Sequence, residues 1–282
     1  MNEIQLKKAQ QFKALHEQNG LFVTPNPWDA GTARLLTAVG FKALATTSAG
    51  LAYSLGVRDG TAAFGREEAI LNARQIVEAT HLPVSADLEN GYGDRPEDAA
   101  ETLRRAALEG GVVGASIEDA SMCPESPIYD FALSVERVAA AAEAARALPF
   151  PFVFVARAEN FVHGIQDLDD TIRRLQAYEK AGADVLFAPG LRALEDIALV
   201  CQSVSKPVNV NAGMKGFAWS LADLERVGVR RVSLGGGLVK AALVAFTKAA
   251  LEVQEQGTVH FVEEANSLDL AQLMFAPNQN GL

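Results

Sequence analysis

The sequence is poor in cysteine, in long apolar runs and in basic residues, and each shortage excludes a class of protein. Its two cysteines, Cys123 and Cys201, are too few for a disulfide scaffold and suit a reducing compartment. No run approaches the ~20 apolar residues of a membrane span, and the charged N-terminal stretch lacks the apolar segment of a secretory signal. The net charge of −10 argues against a polyanion partner such as nucleic acid. We therefore expect a soluble, cytoplasmic protein that contacts neither membrane nor nucleic acid.

What the sequence does contain is one repeated pattern: a short apolar run rich in strand-forming residues, then a loop, then an amphipathic helical stretch. The strands are predicted at 21–25, 43–48, 84–88, 113–117, 152–156, 185–187, 208–211 and 232–234. The helices are predicted at 4–18, 30–39, 67–80, 96–109, 135–146, 168–181, 194–203, 221–227 and 239–254. The strands are continuously apolar, which is typical of parallel strands buried on both faces. Eight such units in 282 residues predict an α/β fold, a (β/α)8 TIM barrel formed by residues 1–255.

The remaining segment, 256–282, is predicted to be a C-terminal helical tail. Apolar residues recur through its part from about 258 to 275, so the tail needs a partner surface. We predict that this surface belongs to another subunit, with packing on its own barrel as the alternative.

Acidic residues cluster where the predicted strands end, which is where barrel enzymes carry their chemistry. Asp87 and Glu89 alternate with an apolar residue at the end of the third strand, so both carboxylates point the same way. Glu118 ends the fourth strand, Arg157 ends the fifth, and Asp59 lies in the loop after the second. Carboxylates gathered at one barrel mouth repel each other, and a hard divalent cation together with Arg157 would offset that repulsion. The alternative is that each acid caps a helix or pairs with a surface arginine.

Other motifs carry less information. Cys123 lies in the loop 120–130 with no neighbouring base or cation, so we interpret it as an ordinary loop cysteine. The four histidines show no metal-ligand spacing. The triple glycine 235–237 after the last strand fits a phosphate-binding turn of an unrelated barrel and a plain tight turn equally well.

Three motifs together resemble the isocitrate lyase/phosphoenolpyruvate mutase superfamily. They are Asp-Leu-Glu-Asn-Gly-Tyr-Gly at 87–93, Ser-Ile-Glu-Asp at 116–119 and Leu-Gly-Val-Arg-Asp at 55–59, with Ala-Arg at 156–157 as further support. The resemblance covers about 22–253. It implies Mg²⁺, with Mn²⁺ as the alternative, and a small 2-oxo acid or phosphono acid substrate whose C–C or P–C bond is made or broken beside a pyruvate-like unit.

The resemblance also implies roles for individual residues. Asp87 would ligate the metal directly, and Asp59, Glu89 and Glu118 would hold it mainly through water. The substrate carboxylate would lie against the segment made of Thr47, Ser48 and Ala49. Arg157 would contact the oxo-acid oxygens and act with Glu118 and Asp59 as the catalytic group, and Asn211 would hold a second carboxylate. Members of the superfamily form homo-oligomers that exchange C-terminal helices, which implies a homotetramer, or a dimer, with a swapped tail.

Several positions depart from the superfamily pattern. Glu89 stands where aspartate is usual, and Pro189 replaces a common histidine or glutamate. The loop 122–127 reads Met-Cys-Pro-Glu-Ser-Pro, without the Lys-Lys/Arg-Cys-Gly-His run of isocitrate and methylisocitrate lyases or the Lys-x-Asn of the mutases and hydrolases. We therefore predict a phosphonomutase-like member, not a true isocitrate or methylisocitrate lyase. The predicted function is an Mg²⁺-dependent carbon–carbon lyase acting through a metal-stabilised enolate. The alternatives are a phosphonopyruvate- or phosphoenolpyruvate-type mutase or hydrolase and a non-catalytic 2-oxo acid binder.

Overall fold

The protein is described here by a computed structural model covering residues 3–275. Its single sheet contains β1 (Phe22–Thr24), β2 (Leu44–Ala45), β3 (Val84–Asp87), β4 (Gly114–Glu118), β5 (Val153–Arg157), β6 (Val185–Phe187), β7 (Val208–Asn211) and β8 (Arg231–Ser233). The strands are parallel and lie in the order β1-β8-β7-β6-β5-β4-β3-β2. The Ala45 amide donates to the Pro25 carbonyl at 3.1 Å, which brings β2 beside the end of β1. The sheet is thus a nearly closed TIM barrel, which confirms the predicted fold class.

Helices follow the strands around the outside of the barrel. They are α1 (Glu3–Glu17), α2 (Ala30–Val39), α3 (Ser48–Leu55), α4 (Arg66–Glu78), α5 (Pro96–Leu108), α6 (Phe131–Arg146), α7 (Leu168–Ala181), α8 (Leu194–Ser203), α9 (Leu221–Arg226), α10 (Gly237–Leu251), α11 (Phe261–Ala265) and α12 (Leu270–Phe275). A π-helical turn, Glu252–Gln256, continues α10. Among residues 3–275, no helix is long and apolar enough to cross a membrane.

The N-terminal helix α1 closes the bottom of the barrel. Phe12 is fully buried there, and a Cβ added to Gly114 at the start of β4 would come within 2.7 Å of its ring. Glycine at this position therefore makes room for the Phe12 ring. His16, one turn later, packs edge-on between the rings of Phe12 and Phe22. The buried guanidinium of Arg231, in β8, lies over the ring of Phe12.

The prediction was wrong in one segment, that between β2 and α4. The sequence predicts a strand at 43–48 followed by a loop, but β2 is only two residues long and is followed by α3. Thr47 caps α3 by accepting the Gly50 amide, and the helix ends at Gly56, whose φ is 69°. Those two residues are the start and stop signals that identify the helix in the sequence.

The C-terminal region combines two kinds of contact. The tail forms two short helices, not one, and Arg34 of α2 lies over the ring of Phe275 at the end of α12. In contrast, α10 is strongly apolar but mostly exposed, and Phe246 at its centre has 71% of its surface accessible. Part of the tail therefore packs on its own barrel, whereas α10 presents an apolar face. Residues 276–282 of the predicted tail lie outside the described residues.

Candidate functional site

Arg157, at the end of β5, is the centre of a cluster of carboxylates at the barrel mouth. Its Nη1 lies 2.9 Å from Oδ1 of Asp87, which ends β3, and its Nη2 lies 2.9 Å from Oε2 of Glu118, which ends β4. Its Nε lies 2.8 Å from Oε1 of Glu159. β3, β4 and β5 are neighbours in the sheet, and Glu118 is paired in register with Arg157. Parallel strands therefore deliver all of these groups to one place.

Arg157 carries its charge against the effect of burial. Burial disfavours the cation, but the carboxylates of Glu118, Glu159 and Asp87 outweigh it and raise the pKa of Arg157 well above its ordinary value. Burial has the opposite result for Glu118, whose pKa it raises even though Arg157 opposes the rise. One guanidinium thus neutralises only part of the charge that the acids would carry.

Asp87 is fixed on its other side by the N-terminus of α3. The Ser48 amide donates to Oδ2 of Asp87 at 3.1 Å, and the Asp87 amide donates to Oγ1 of Thr46 at 2.9 Å. Two of the residues predicted to hold the substrate carboxylate, Thr47 and Ser48, therefore lie beside the predicted metal ligand. A helix N-terminus favours anions because its first N–H groups have no partners within the helix.

Two further carboxylates complete the cluster. Burial, then the charge of Asp87, raises the pKa of Asp59, and its Oδ1 is buried without a hydrogen-bond partner among the described residues. Burial, then Asp87 and Asp59, raises the pKa of Glu89 to about 8. The structure thus brings together all four residues predicted as metal ligands, on the same side of the mouth as Arg157.

The loop after β3 holds Glu89 in an uncommon backbone conformation. Glu89 and Tyr92 have φ values of 47° and 56°, in the left-handed region that non-glycine residues seldom occupy. Arg137 of α6 secures this loop by donating to the carbonyls of Asn90, Gly93 and Arg95. Backbone strain persists only where the surroundings maintain it. Arg137 holds the residues after Glu89, and the Glu118 amide holds the Glu89 carbonyl at 2.9 Å.

The loop 120–130 lies next to the site and is closed at its base. Ala120 and Ile128 form an antiparallel bridge, and the Tyr129 amide donates to the Asp119 carbonyl at 2.8 Å. Tyr129 also donates its hydroxyl to Asp94 and receives a hydrogen bond from Asn90, so it ties this loop to the one after β3. Cys123 is exposed in this loop, and its thiol lies 3.2 Å from Oε2 of Glu125.

The donor set fits a hard divalent cation. Five carboxylates, all hard oxygen donors, surround one guanidinium, and Asp59 has an oxygen that is buried and unpaired. Within residues 3–275, no three acidic, histidine or cysteine side chains lie close enough together to hold a metal ion by themselves. Mg²⁺ typically takes one or two direct carboxylates and completes its shell with water and substrate oxygens, so a full cage is not required.

Two other predicted residues contact the loops after β7 and β8. Asn211 ends β7, where its Oδ1 accepts the Gly213 amide, and Ala49 of α3 approaches Gly236 in the loop after β8. The triple glycine offers little to a phosphate, because the Gly235 amide donates to Asn26 and the Gly237 amide donates to the Leu234 carbonyl.

Sequence reasoning missed three members of the site: Thr46, Tyr92 and Glu159. Glu159 follows Arg157 by two residues, so the alternation that pairs Asp87 with Glu89 is a signal that could have found it. The sequence predicts Thr46 inside the second strand. In the structure β2 ends just before it, and its Oγ1 accepts the Asp87 amide. No sequence pattern singles out Tyr92, because the environment of its hydroxyl is set by acids that only the fold brings close to it.

Comparison with known proteins places this geometry in a family. The sequence profile of the family described as phosphoenolpyruvate phosphomutase matches residues 12–254. An uncharacterized protein of Mycobacterium tuberculosis is 33% identical over 250 residues, which are 86% of this chain and 89% of that protein.

Two solved structures extend the comparison. A protein of Burkholderia cenocepacia J2315, described as a lyase/mutase without a specified reaction, is 51% identical with a TM-score of 0.94 and covers 99% of both chains. The 2,3-dimethylmalate lyase, described as a PEP mutase/isocitrate lyase superfamily member, is 25% identical with a TM-score of 0.82 and covers 97% of this chain and 95% of that one. The chain therefore belongs to the phosphoenolpyruvate phosphomutase family, within the superfamily of enzymes that its strand-end motifs indicated.

Proposed function

We propose that this chain is an Mg²⁺-dependent lyase that cleaves a C–C bond of a small 2-oxo acid beside a pyruvate-like unit. The observation that carries the proposal is Arg157, held by Asp87, Glu118 and Glu159 at the barrel mouth. Asp87 would hold the cation directly, and Asp59, Glu89 and Glu118 would hold it through water, with Mn²⁺ as the alternative metal. When bound, such a cation would supply Lewis-acid polarisation of the substrate ketone.

The remaining residues bind and orient the substrate. The N-terminus of α3, with Thr47, Ser48 and Ala49, would hold the substrate carboxylate through its amides and hydroxyls. The carbon bonded to C3 leaves as a carbonyl fragment, its hydroxyl proton passing to a carboxylate of the cluster. The electron pair of the broken bond forms the C2=C3 bond of an enolate, whose oxygen charge the Arg157 guanidinium stabilises, and protonation at C3 then gives pyruvate. Asn211, on another part of the mouth, would hold a second carboxylate of a longer substrate. The loop 120–130 would exclude water during the reaction.

C–C cleavage is favoured over P–C cleavage by the composition of that loop. Its residues 120–130 include Cys123 and Glu125 but no lysine or arginine. Glu125 accepts a contact from the Cys123 thiol at 3.2 Å and adds negative charge at the tip. A transferring phosphoryl group needs cations around its oxygens. This loop supplies no cation and would repel the negatively charged oxygens.

The test is a panel of 2-oxo and phosphono acids incubated with the protein and Mg²⁺, with pyruvate release as the readout. We expect release from at least one 2-oxo acid, and loss of release with EDTA. Asp87→Ala should abolish both metal binding and turnover, by more than the roughly 10–100-fold loss typical of outer-shell partners. The matched control is Asp169→Ala on the exposed start of α7.

Each unexpected outcome excludes part of the proposal. Unchanged turnover in Asp87→Ala would exclude Asp87 as the metal ligand. Pyruvate release from phosphono acids alone would favour the hydrolase alternative, whereas conversion of phosphonopyruvate into phosphoenolpyruvate without pyruvate release would favour the mutase. Metal-dependent binding of 2-oxo acids without any turnover would favour a non-catalytic binder.

We also propose that the active form is a homo-oligomer, a dimer or a tetramer, in which C-terminal helices are exchanged. The exposed apolar face of α10, with Leu243, Val244 and Phe246, supports this proposal because water is an unfavourable environment for such a surface. The division into a catalytic barrel, 1–255, and an oligomer-forming tail, 256–282, remains a prediction, as does a cytoplasmic location.

A further inference from the structure

Tyr92 carries a buried hydroxyl for which the described part of the chain provides no hydrogen-bond partner. Together with Asp87, Thr47 and Ser48, it lines a small depression at the barrel mouth. Buried hydroxyl groups are nearly always hydrogen-bonded, so an unpaired one beside a site needs an explanation. Tyr92 is not among the residues to which the superfamily resemblance gives a role.

The surroundings of this hydroxyl make it a hydrogen-bond donor. Burial, and then the charges of Glu89, Asp87, Glu118 and Asp59, raises the pKa of Tyr92 well above its ordinary value. The phenol therefore keeps its proton throughout the physiological range. An ionised carboxylate can only accept hydrogen bonds, so the phenol adds a donor beside the acids.

The chain also maintains Tyr92 in a conformation that it would not adopt freely. Its φ of 56° is uncommon for a bulky side chain. The Tyr92 amide donates to Oδ1 of Asn90 at 2.9 Å, and Arg137 holds the Asn90 carbonyl, so the strained turn is fixed from both sides. Unusual backbone conformations that the surroundings enforce cluster at functional sites.

We propose that Tyr92 is a further binding residue of the cation site, whose phenol donates a hydrogen bond to a water oxygen in the outer shell of the bound cation. The buried Oδ1 of Asp59 likewise has no partner among residues 3–275, and it would accept from the same shell. A shell water would satisfy both orphaned atoms, one as acceptor and one as donor. This inference rests on the proposed function, because it requires the cation.

The competing explanation is that Tyr92 serves packing alone. Its ring lies 6.2 Å from that of Phe64 and packs against a small apolar cluster that includes Leu51. In that case the hydroxyl is a buried group without a function, and its removal should have no effect on metal binding. Tyr92→Phe separates the two explanations because it keeps the ring and deletes only the oxygen.

The experiment is calorimetric titration of the full chain with Mn²⁺ alone, for the wild type, Tyr92→Phe and the control Tyr53→Phe. Tyr53 lies on α3 with an exposed ring, so its loss should leave the affinity unchanged. We expect Tyr92→Phe to weaken Mn²⁺ binding by about fivefold, the effect of one lost hydrogen bond. We also expect metal-free Tyr92→Phe to unfold at the same temperature as the wild type or a higher one, because an unpaired hydroxyl has been removed.

The outcomes distinguish this inference from the proposed function. If the wild type binds no Mn²⁺, the proposed function fails and the inference fails with it. If the wild type binds Mn²⁺ and Tyr92→Phe binds it equally well, only the inference is overturned. If metal-free Tyr92→Phe unfolds at a much lower temperature, its hydroxyl has a structural partner and the inference is again overturned.

Discussion

Arg157 meets three carboxylates with three different nitrogens, and this geometry depends on the shape of its guanidinium. The planar fork of arginine can address Asp87, Glu118 and Glu159 at once, whereas a lysine ammonium is a single point charge. The three carboxylates lie at or just after the ends of three different strands, so the guanidinium also fixes their relative positions. Loss of the fork would affect the geometry of the site even where the charge is kept.

We therefore expect Arg157→Lys to lower kcat/KM by about 10²–10³-fold on whichever substrate the panel identifies, since a donor aimed at a developing oxyanion is lost. Mn²⁺ binding should persist, because the positive charge remains and no proposed ligand is removed. The measurement is steady-state kinetics beside a metal titration. Arg173→Lys, on the exposed face of α7, is the control. Full activity in Arg157→Lys would show that the fork is dispensable.

Residue-level prediction from the sequence succeeded where strand periodicity governs direction. Asp87 and Glu118 were predicted to converge because both end parallel strands of one barrel, and the structure confirms the convergence. Periodicity could not indicate that Arg157 bridges them, because a contact between strands depends on register and side-chain length. The roles of the individual residues as ligands and catalytic groups stay predictions.

At the scale of elements, the amphipathic helices and most strands were predicted well, and the clear exceptions are β2 and α3. Helices α2, α7 and α8 have their predicted limits, because each is long enough for a clear apolar stripe. Strand β2 is shorter than predicted because Thr47 caps α3, although the Thr46 amide still donates to the Ser85 carbonyl of β3. Helix α3 is so largely apolar that no amphipathic pattern is visible in its sequence, so only its capping residues identify it.

Helix α1 gives an element-level prediction through its buried histidine. Burial, then the charge of Arg231, lowers the pKa of His16 to about 3, against a partial opposing effect of the Phe12 carbonyl. Between that value and about 6.5 the unfolded chain binds a proton that the folded protein does not. The free energy of unfolding should therefore fall as the pH drops below about 6.5, by up to about 1.4 kcal/mol for each pH unit.

Urea denaturation from pH 7 to pH 4 measures this slope. His16→Leu should flatten it, because the group that takes up the proton on unfolding is gone. His260→Leu, in the exposed tail, serves as the control and should retain the wild-type slope. An identical slope in His16→Leu and the wild type would contradict the assignment.

At the scale of the whole molecule, one helix of the barrel, α10, contributes little to the buried core. The core runs continuously from Phe12 to Val232 through the strands, whereas α10 keeps only Val239 buried. An outer barrel helix normally covers the wall beside its own strand. The apolar composition of α10 therefore makes sense only if something else covers it, and a second copy of the chain is our proposal.

Phe246→Asp should shift the protein towards the monomer, because a charge at the centre of the apolar face would be buried without a partner in the interface. Light scattering coupled to size-exclusion chromatography measures the mass. Leu108→Asp places the same charge at an exposed position on α5 and should leave the mass unchanged. A wild type that is monomeric at all concentrations would refute the proposal.

The shortness of β2 has a mechanical consequence for the site. Between β1 and β2 the wall is joined through the Ala45 amide and the Pro25 carbonyl, whereas β4 and β5 share five paired residues. A seam with so few backbone bonds opens locally at a lower cost than the rest of the wall. The β1–β2 seam, next to Thr47 and Ser48, thus has fewer backbone hydrogen bonds than the β4–β5 pair that carries Glu118 and Arg157. We therefore expect an entering ligand to move the N-terminus of α3, which would hold its carboxylate, towards the cluster around Arg157.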